Sequence, residues 1–164
     1  MRRLGPVTLL LVRHADAEPR GRWSGPDLLR PLTKHGRGQA ARLVHLLGDS
    51  HVVGRLVTSP SLRCIETLAP LAGVLGLDLE VAAELQEGED PKAAVDLARD
   101  GAMAGAGAVA LCTHGDLVPA ILEVLEQRDG IDLGSDPRWQ KGGTWVLEGH
   151  DGRFASATYL PPPT

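Results

Sequence analysis

Aromatic residues are scarce in this chain, with three tryptophans, one tyrosine and one phenylalanine among 164 residues. The core must therefore be built from Leu, Val and Ala. Cysteine is scarcer still: Cys64 and Cys112 alone make neither a disulfide scaffold nor a zinc site, and fit reduced thiols. No apolar run approaches the roughly 20 residues of a membrane span. The start Met1-Arg2-Arg3 leads into an apolar run that ends in Arg13-His14, with no small-residue cleavage site. The expectation is a cytoplasmic protein with no membrane partner. A formal net charge of -4 offers no positive field for a nucleic acid polymer, so none is expected either. Any anionic ligand then depends on a few local arginines. The hydrophobic share of 43% and charged share of 23% suit a folded globular chain, and the length suits one domain spanning residues 1–164.

What is present is an alternation of apolar runs and amphipathic stretches. Val7–Val12 reads V-T-L-L-L-V, a strand buried on both faces as in the middle of a parallel sheet, and it stops at Arg13-His14. Pro19–Arg30 is a Gly/Pro/Arg-rich loop carrying Trp23. Thr33 makes a good N-cap for a helix over Lys34–Leu47, with Ala40, Leu43, Val44 and Leu47 on one face. Within it, Gly36–Ala41 matches a dinucleotide-binding G-x-G-x-x-A pattern. That pattern needs a strand directly before it, which Arg30–Thr33 does not supply. Val52–Thr58 predicts a second strand. Ser59-Pro60 opens a second helix, which Pro70 should kink or end near Leu68-Ala69. A short strand over Leu77–Val81, an acidic connection Glu84–Glu89 and a helix from Asp90-Pro91 to about Asp100 follow. Gly101–Gly107 reads as a turn, Ala108–Thr113 as a strand, and Asp116 as the cap of a helix to Gln127. Arg128–Gly143 is a long polar loop with Trp139, and Thr144–Glu148 with Arg153–Tyr159 form a closing hairpin. Together these predict an α/β three-layer sandwich: a mostly parallel central sheet flanked by helices, closed by a C-terminal β-hairpin.

Chemistry gathers at the strand ends, where α/β proteins place their sites. The first strand delivers Arg13 and His14, the second leads to Ser59 and Arg63, and the fourth delivers His114 at a helix start. Two imidazoles and two guanidinium forks can hold a phosphoryl group without a metal. A neutral histidine attacks phosphorus, and the second stabilises the shifting charge. A carboxylic acid is then wanted for the leaving oxygen, with Glu87 the best candidate and Glu84 and Glu89 close by. Arg30 and Lys141 are secondary phosphate candidates. No two histidines have zinc-helix spacing, so no metal is expected, and no cofactor is implied. A cysteine phosphatase needs Arg six residues after Cys, where this chain has Pro70 and Val118.

Leu11-Val12-Arg13-His14-Ala15, Leu32-Thr33-Lys34-His35-Gly36-Arg37-Gly38-Gln39-Ala40, Ser59–Thr67 (S-P-S-L-R-C-I-E-T) and Thr113-His114-Gly115 stand in order along the chain. They resemble the motifs of the histidine phosphatase superfamily, the phosphoglycerate-mutase-like fold, with Ala15 in place of its usual Gly. The resemblance implies His14 as the phosphorylated nucleophile, with Arg13, Arg63 and His114 completing the pocket. The compact length and Arg30–Thr33 are similar to the SixA-type branch, which acts on protein phosphohistidine. Arg128–Gly130 and Lys141–Leu147 resemble instead the phosphatase domain fused to actinobacterial MutT-like Nudix hydrolases, which favours a nucleotide or other small ester. A phosphorylated small molecule, a nucleotide and a phosphohistidine protein thus stand as alternative partners. Two further readings stay open: a mutase, which the chain's size disfavours, and a non-catalytic phosphate-binding module of the same fold.

Overall fold

A computed structural model describes residues 5–105 and 107–164. Six strands form one sheet in the order β3-β2-β4-β1-β5-β6: β1 (Pro6–Arg13), β2 (Val53–Thr58), β3 (Leu79–Val81), β4 (Ala108–Thr113), β5 (Thr144–His150) and β6 (Arg153–Leu160). The first four in sequence pair in parallel, while β5 runs antiparallel to β1 and forms a hairpin with β6. β1 is therefore buried on both faces as expected. It lies at the junction of the parallel and antiparallel parts rather than within a purely parallel sheet.

Strand side chains alternate between two apolar layers, as the period of two requires. Leu9 and Leu11 of β1, with Val109 and Leu111 of β4, pack against α3 (Pro91–Met103) and α4 (Leu117–Asp129). Leu10 and Val12, with Ala110 and Cys112, face α1 (Lys34–Gly48) and α2 (Leu62–Leu75). The helices thus cover both faces of the mixed sheet, leaving the strand ends for chemistry. No helix among the described residues is long and apolar enough to cross a membrane.

Thr33 caps α1 as expected, its hydroxyl oxygen accepting the Gly36 N–H at 2.9 Å. Gly36 has a reason of its own: an added Cβ would lie 1.9 Å from the Asp16 carbonyl oxygen, so the helix start and the loop after β1 touch backbone to backbone. Three expectations change. α2 continues through Pro70 to Leu75, because its apolar face (Cys64, Leu68, Leu71, Ala72) stays packed on the sheet, and packing outweighs one lost hydrogen bond. α3 runs to Met103, with Gly101 and Ala102 buried inside it, so the predicted turn begins later. Asp116 does not cap α4 with its side chain; it accepts the Gly88 N–H at 2.8 Å instead.

Gly36→Ala should destabilise the fold by about 1–3 kcal/mol, because the clash is with backbone that cannot rotate away. Urea unfolding measures this, and a variant as stable as the parent would contradict the close approach.

Candidate active site

β4 lies between β1 and β2, and backbone pairing to β4 continues one residue past the ends of both neighbours. The His14 N–H donates to the Thr113 carbonyl at 3.0 Å, and the Ser59 N–H donates to the Cys112 carbonyl at 3.0 Å. The sheet ladder thus sets His14, His114 and Ser59 side by side. The rings of His14 and His114 stand edge to face with centroids 5.6 Å apart.

His14 is 6% exposed. Its Nδ1 lies 2.8 Å from the Ala15 carbonyl oxygen, which can only accept, so Nδ1 carries the hydrogen and Nε2 keeps its lone pair. Burial, assisted by the neighbouring His114, Arg63 and Arg13 charges, outweighs that hydrogen bond and holds the imidazole pKa down at about 3. The ring is neutral across the physiological range, with the Nε2 lone pair available. Ala15 is itself fully buried beside Ala17, Leu32 and Ala40, and its N–H donates to Thr67 Oγ1 at 3.0 Å. The backbone after His14 is held firmly with alanine where the family usually has glycine.

Arg63, in the first turn of α2, is 1% exposed. Its Nη1 donates to the Asp27 carbonyl at 3.0 Å, and its Nη2 meets Asp27 Oδ2 at 3.2 Å, Glu87 Oε2 at 3.3 Å and His114 Nδ1 at 3.3 Å. Arg13 donates through Nη1 to the Trp139 carbonyl at 2.9 Å, and its guanidinium lies where a Cβ on Gly115 would be, within 2.6 Å. A side chain after His114 would have to displace the Arg13 guanidinium. Burial lowers the Arg13 pKa. The Nε–H groups of Arg13 and Arg63 are buried with no hydrogen-bond partner among the described residues. Both guanidinium groups line one cavity, and their fixed positive charges fit an anion with several oxygens.

That cavity, of about 390 Å³, is lined by Arg13, His14, Arg20, Arg30, Arg63, Glu87, His114, Gly115, Asp116 and Lys141. All seven candidates from the sequence, Arg13, His14, Arg30, Arg63, Glu87, His114 and Lys141, are brought together there, whereas Glu84 and Glu89 are not part of its wall. Arg30 is buried, reaching the Glu18 carbonyl at 2.8 Å and Asp27 Oδ1 at 3.0 Å, so it also fastens the 19–30 loop. Burial pushes the Asp27 carboxyl up, but the Arg30 hydrogen bond and the charges of Arg63, Arg30 and Arg20 outweigh it and hold the pKa below its usual value. The 128–143 loop closes on the site: Gly142 and Gly143 pair with the backbone of Arg13 and His14, and Lys141 reaches the wall. Trp23 and Trp139 do not line it; Trp23 donates to the Pro26 carbonyl.

Sequence reasoning missed Arg20, Asp27, Gln86 and Asp116. Each sits in a polar loop or turn where neighbours of similar type leave no spacing signal. A larger hollow of about 460 Å³ lies at the opposite end of the strands, but His51 is the one titratable side chain among the residues that line it. The histidines and arginines singled out by the sequence line the smaller cavity.

The sequence profile of the histidine phosphatase superfamily (branch 1) matches residues 9–89. An 8-oxo-(d)GTP phosphatase of Mycolicibacterium smegmatis is 36% identical over 160 residues, covering 95% of this chain and 48% of that protein. The chain therefore spans about half the length of this curated relative. Among solved structures, the protein histidine phosphatase SixA complexed with tungstate superposes with a TM-score of 0.74 at 22% identity, over 93% of this chain and 94% of that one. A protein from Nakamurella multipartitia assigned as phosphohistidine phosphatase SixA gives 0.79 at 23% identity, over 99% and 100%. These two likenesses define the fold. The chain belongs to the histidine phosphatase superfamily.

The depressed His14 pKa carries a stability consequence. Between about pH 6.5 and pH 3 the unfolded chain binds a proton at this residue and the folded chain does not, so stability is lost as pH falls through that window. By pH 4.5 the loss should be about 2–3 kcal/mol. Urea unfolding at pH 7 and 4.5 should show His14→Asn losing less stability than the parent by that amount. Equal losses would place the titration elsewhere.

Proposed function

We propose that the chain hydrolyses phosphomonoesters or phosphohistidine without a metal, through a covalent phosphohistidine on His14. The observation that supports this most is the free, neutral Nε2 of His14 in a cavity it shares with His114 and two arginines. Nε2 attacks phosphorus as the bond to the leaving oxygen breaks. Arg13, Arg63 and His114 hold the phosphoryl oxygens as charge moves onto them. Glu87, on the cavity wall, is assigned as the carboxylic acid that gives its proton to the leaving oxygen and becomes a carboxylate. In the second half Glu87 takes a proton from water, whose oxygen attacks the phosphohistidine. Phosphate leaves and His14 returns to its starting form. Residues 1–164 form one domain in this reading.

The remainder of the substrate lies towards Arg30 and Lys141. A second reading, a nucleotide-directed phosphatase, draws on the relative's name and on Arg20 and Lys141, which add cations beyond the two that one phosphoryl group needs.

An aryl phosphate should be hydrolysed at an undiminished rate in excess chelator, with His14→Ala slower by about 10³-fold or more. A phosphoenzyme should be trapped with the parent protein alone. Activity that vanishes on chelation, or survives in His14→Ala, ends this reading; anion binding with no phosphoenzyme would make the chain a non-catalytic module. On a panel of nucleotides, phosphometabolites and a phosphohistidine protein, Lys141→Ala should raise KM for nucleoside diphosphates about tenfold and leave the aryl phosphate within about twofold. Equal effects on both would remove Lys141 from substrate recognition.

A further inference from the structure

Glu87 is the second residue of a turn over Gln86–Glu89, closed by the Glu89 N–H donating to the Gln86 carbonyl at 3.1 Å. Gly88, the third residue, has a φ of +87° while Glu87 keeps a negative one, the combination that marks a type II turn. Types I and II differ by a flip of the peptide between these two residues. Here the N–H of that peptide, on Gly88, donates to Asp116 Oδ2 at 2.8 Å. Asp116 stands two residues beyond His114 at the start of α4, and it lines the same cavity as Glu87. Leu85, just before the turn, is fastened separately, its carbonyl accepting the Thr113 hydroxyl at 2.6 Å. The Glu87 carboxylate is held by arginines: Arg20 Nη2 lies 3.3 Å from both its oxygens, and Arg63 Nη2 lies 3.3 Å from Oε2.

A carboxylate in the wall of an anion pocket works against the ligand. Its bond to Gly88 identifies what Asp116 contributes instead. Arg63 and Arg20 are groups that an incoming phosphoryl group draws on. Each guanidinium that turns to the substrate lets go of Glu87, just when its carboxyl must stand within hydrogen-bond reach of the leaving oxygen. The tethers that remain are those on the backbone, Thr113 to Leu85 and Asp116 to Gly88. We propose that Asp116 is a positioning residue for Glu87. By accepting the Gly88 N–H it holds the turn peptide in one of its two orientations, and so keeps the acid over the cavity once the arginines have gone to the phosphoryl group. The catalytic part of this rests on Glu87 being the acid, as in the reading above, whereas the tether does not.

A well-placed acid helps a poor leaving group most, whereas a folding or binding defect lowers every substrate alike. The test is therefore kcat/KM over a series from nitrophenyl through phenyl to methylphenyl phosphate, in which the leaving oxygen becomes steadily more basic. Glu87→Gln should lose about 100-fold on methylphenyl phosphate and about threefold on nitrophenyl phosphate. Asp116→Ala should lose about tenfold and about twofold, the scale of one charge-assisted hydrogen bond near the surface. Asp116 is exposed, so the core is untouched. Asp116→Asn, whose side-chain oxygen still accepts the Gly88 N–H, should keep the parent pattern. Gly88→Ala should copy Asp116→Ala without changing a charge, since an added Cβ meets no atom there and only the backbone is strained. By nuclear magnetic resonance the Gly88 amide proton should lie downfield in the parent and in Asp116→Asn, and move upfield in Asp116→Ala. Equal losses across the series in Asp116→Ala overturn the proposal. So does an Asp116→Asn as impaired as Asp116→Ala, which would make Asp116 itself the proton donor. A selective Glu87→Gln beside an unselective Asp116→Ala leaves the reading above standing and removes Asp116 alone; an unselective Glu87→Gln removes the acid from that reading and this role with it. If the chain hydrolyses nothing, the amide signal decides, and a signal unmoved in Asp116→Ala overturns the tether.

Discussion

A permanent cation taken out of water is costly unless it is paired and hydrogen-bonded, and Arg63 is out of water almost entirely. Its two terminal nitrogens are met by three separate parts of the chain: Asp27 from the first long loop, Glu87 from the connection after β3, and His114 from the end of β4. Arginine suits this role because its planar fork can hold several partners at once, which a lysine ammonium would do with less definition. The candidate site exists in this form because those three segments converge on one guanidinium.

The sheet supplies the frame for that convergence. Three adjacent strands end level with one another, and backbone pairing carries on into the first residue beyond. The positions of His14 and Ser59 are thus set by main-chain hydrogen bonds to β4, whose next residue is His114, before any side-chain contact is made. Apolar layers on both faces keep the strands from sliding, since a one-residue slip would turn every inward leucine outward. On this rigid support the two histidine rings are held differently. One meets a carbonyl next to it in sequence, the other lies between Ser59 and Arg63 from a different segment.

Most of the architecture was legible because strand and helix periodicities here are strong and the caps conventional. Thr33, the apolar run before Arg13 and the hairpin all express local rules that the tertiary structure obeys. Pro70 misled because its local cost is real, but the helix face around it is buried and holds the turn together. Gly101 misled in the opposite way, a turn-favouring residue accommodated inside a helix by close packing on Val109 and Arg55. The site histidines and arginines were visible as interruptions of apolar or helical patterns. Asp27, Gln86 and Asp116 were not, because a polar residue in a polar loop has no periodicity to break, and its partners lie far away in sequence.

The fastening of Asp27 has a thermodynamic corollary. The loop over residues 19–30 is tied down where Arg20, Arg30 and Arg63 meet one carboxylate. An anion that draws the Arg63 fork towards itself competes with that carboxylate, so occupancy of the hollow and anchorage of its rim are two sides of a single equilibrium. By reciprocity, whatever tightens the Asp27–Arg63 contact weakens the grip on the anion by the same factor, and added salt loosens the two together. The entrance and the reaction centre are thereby coupled through one shared side chain, without any moving domain.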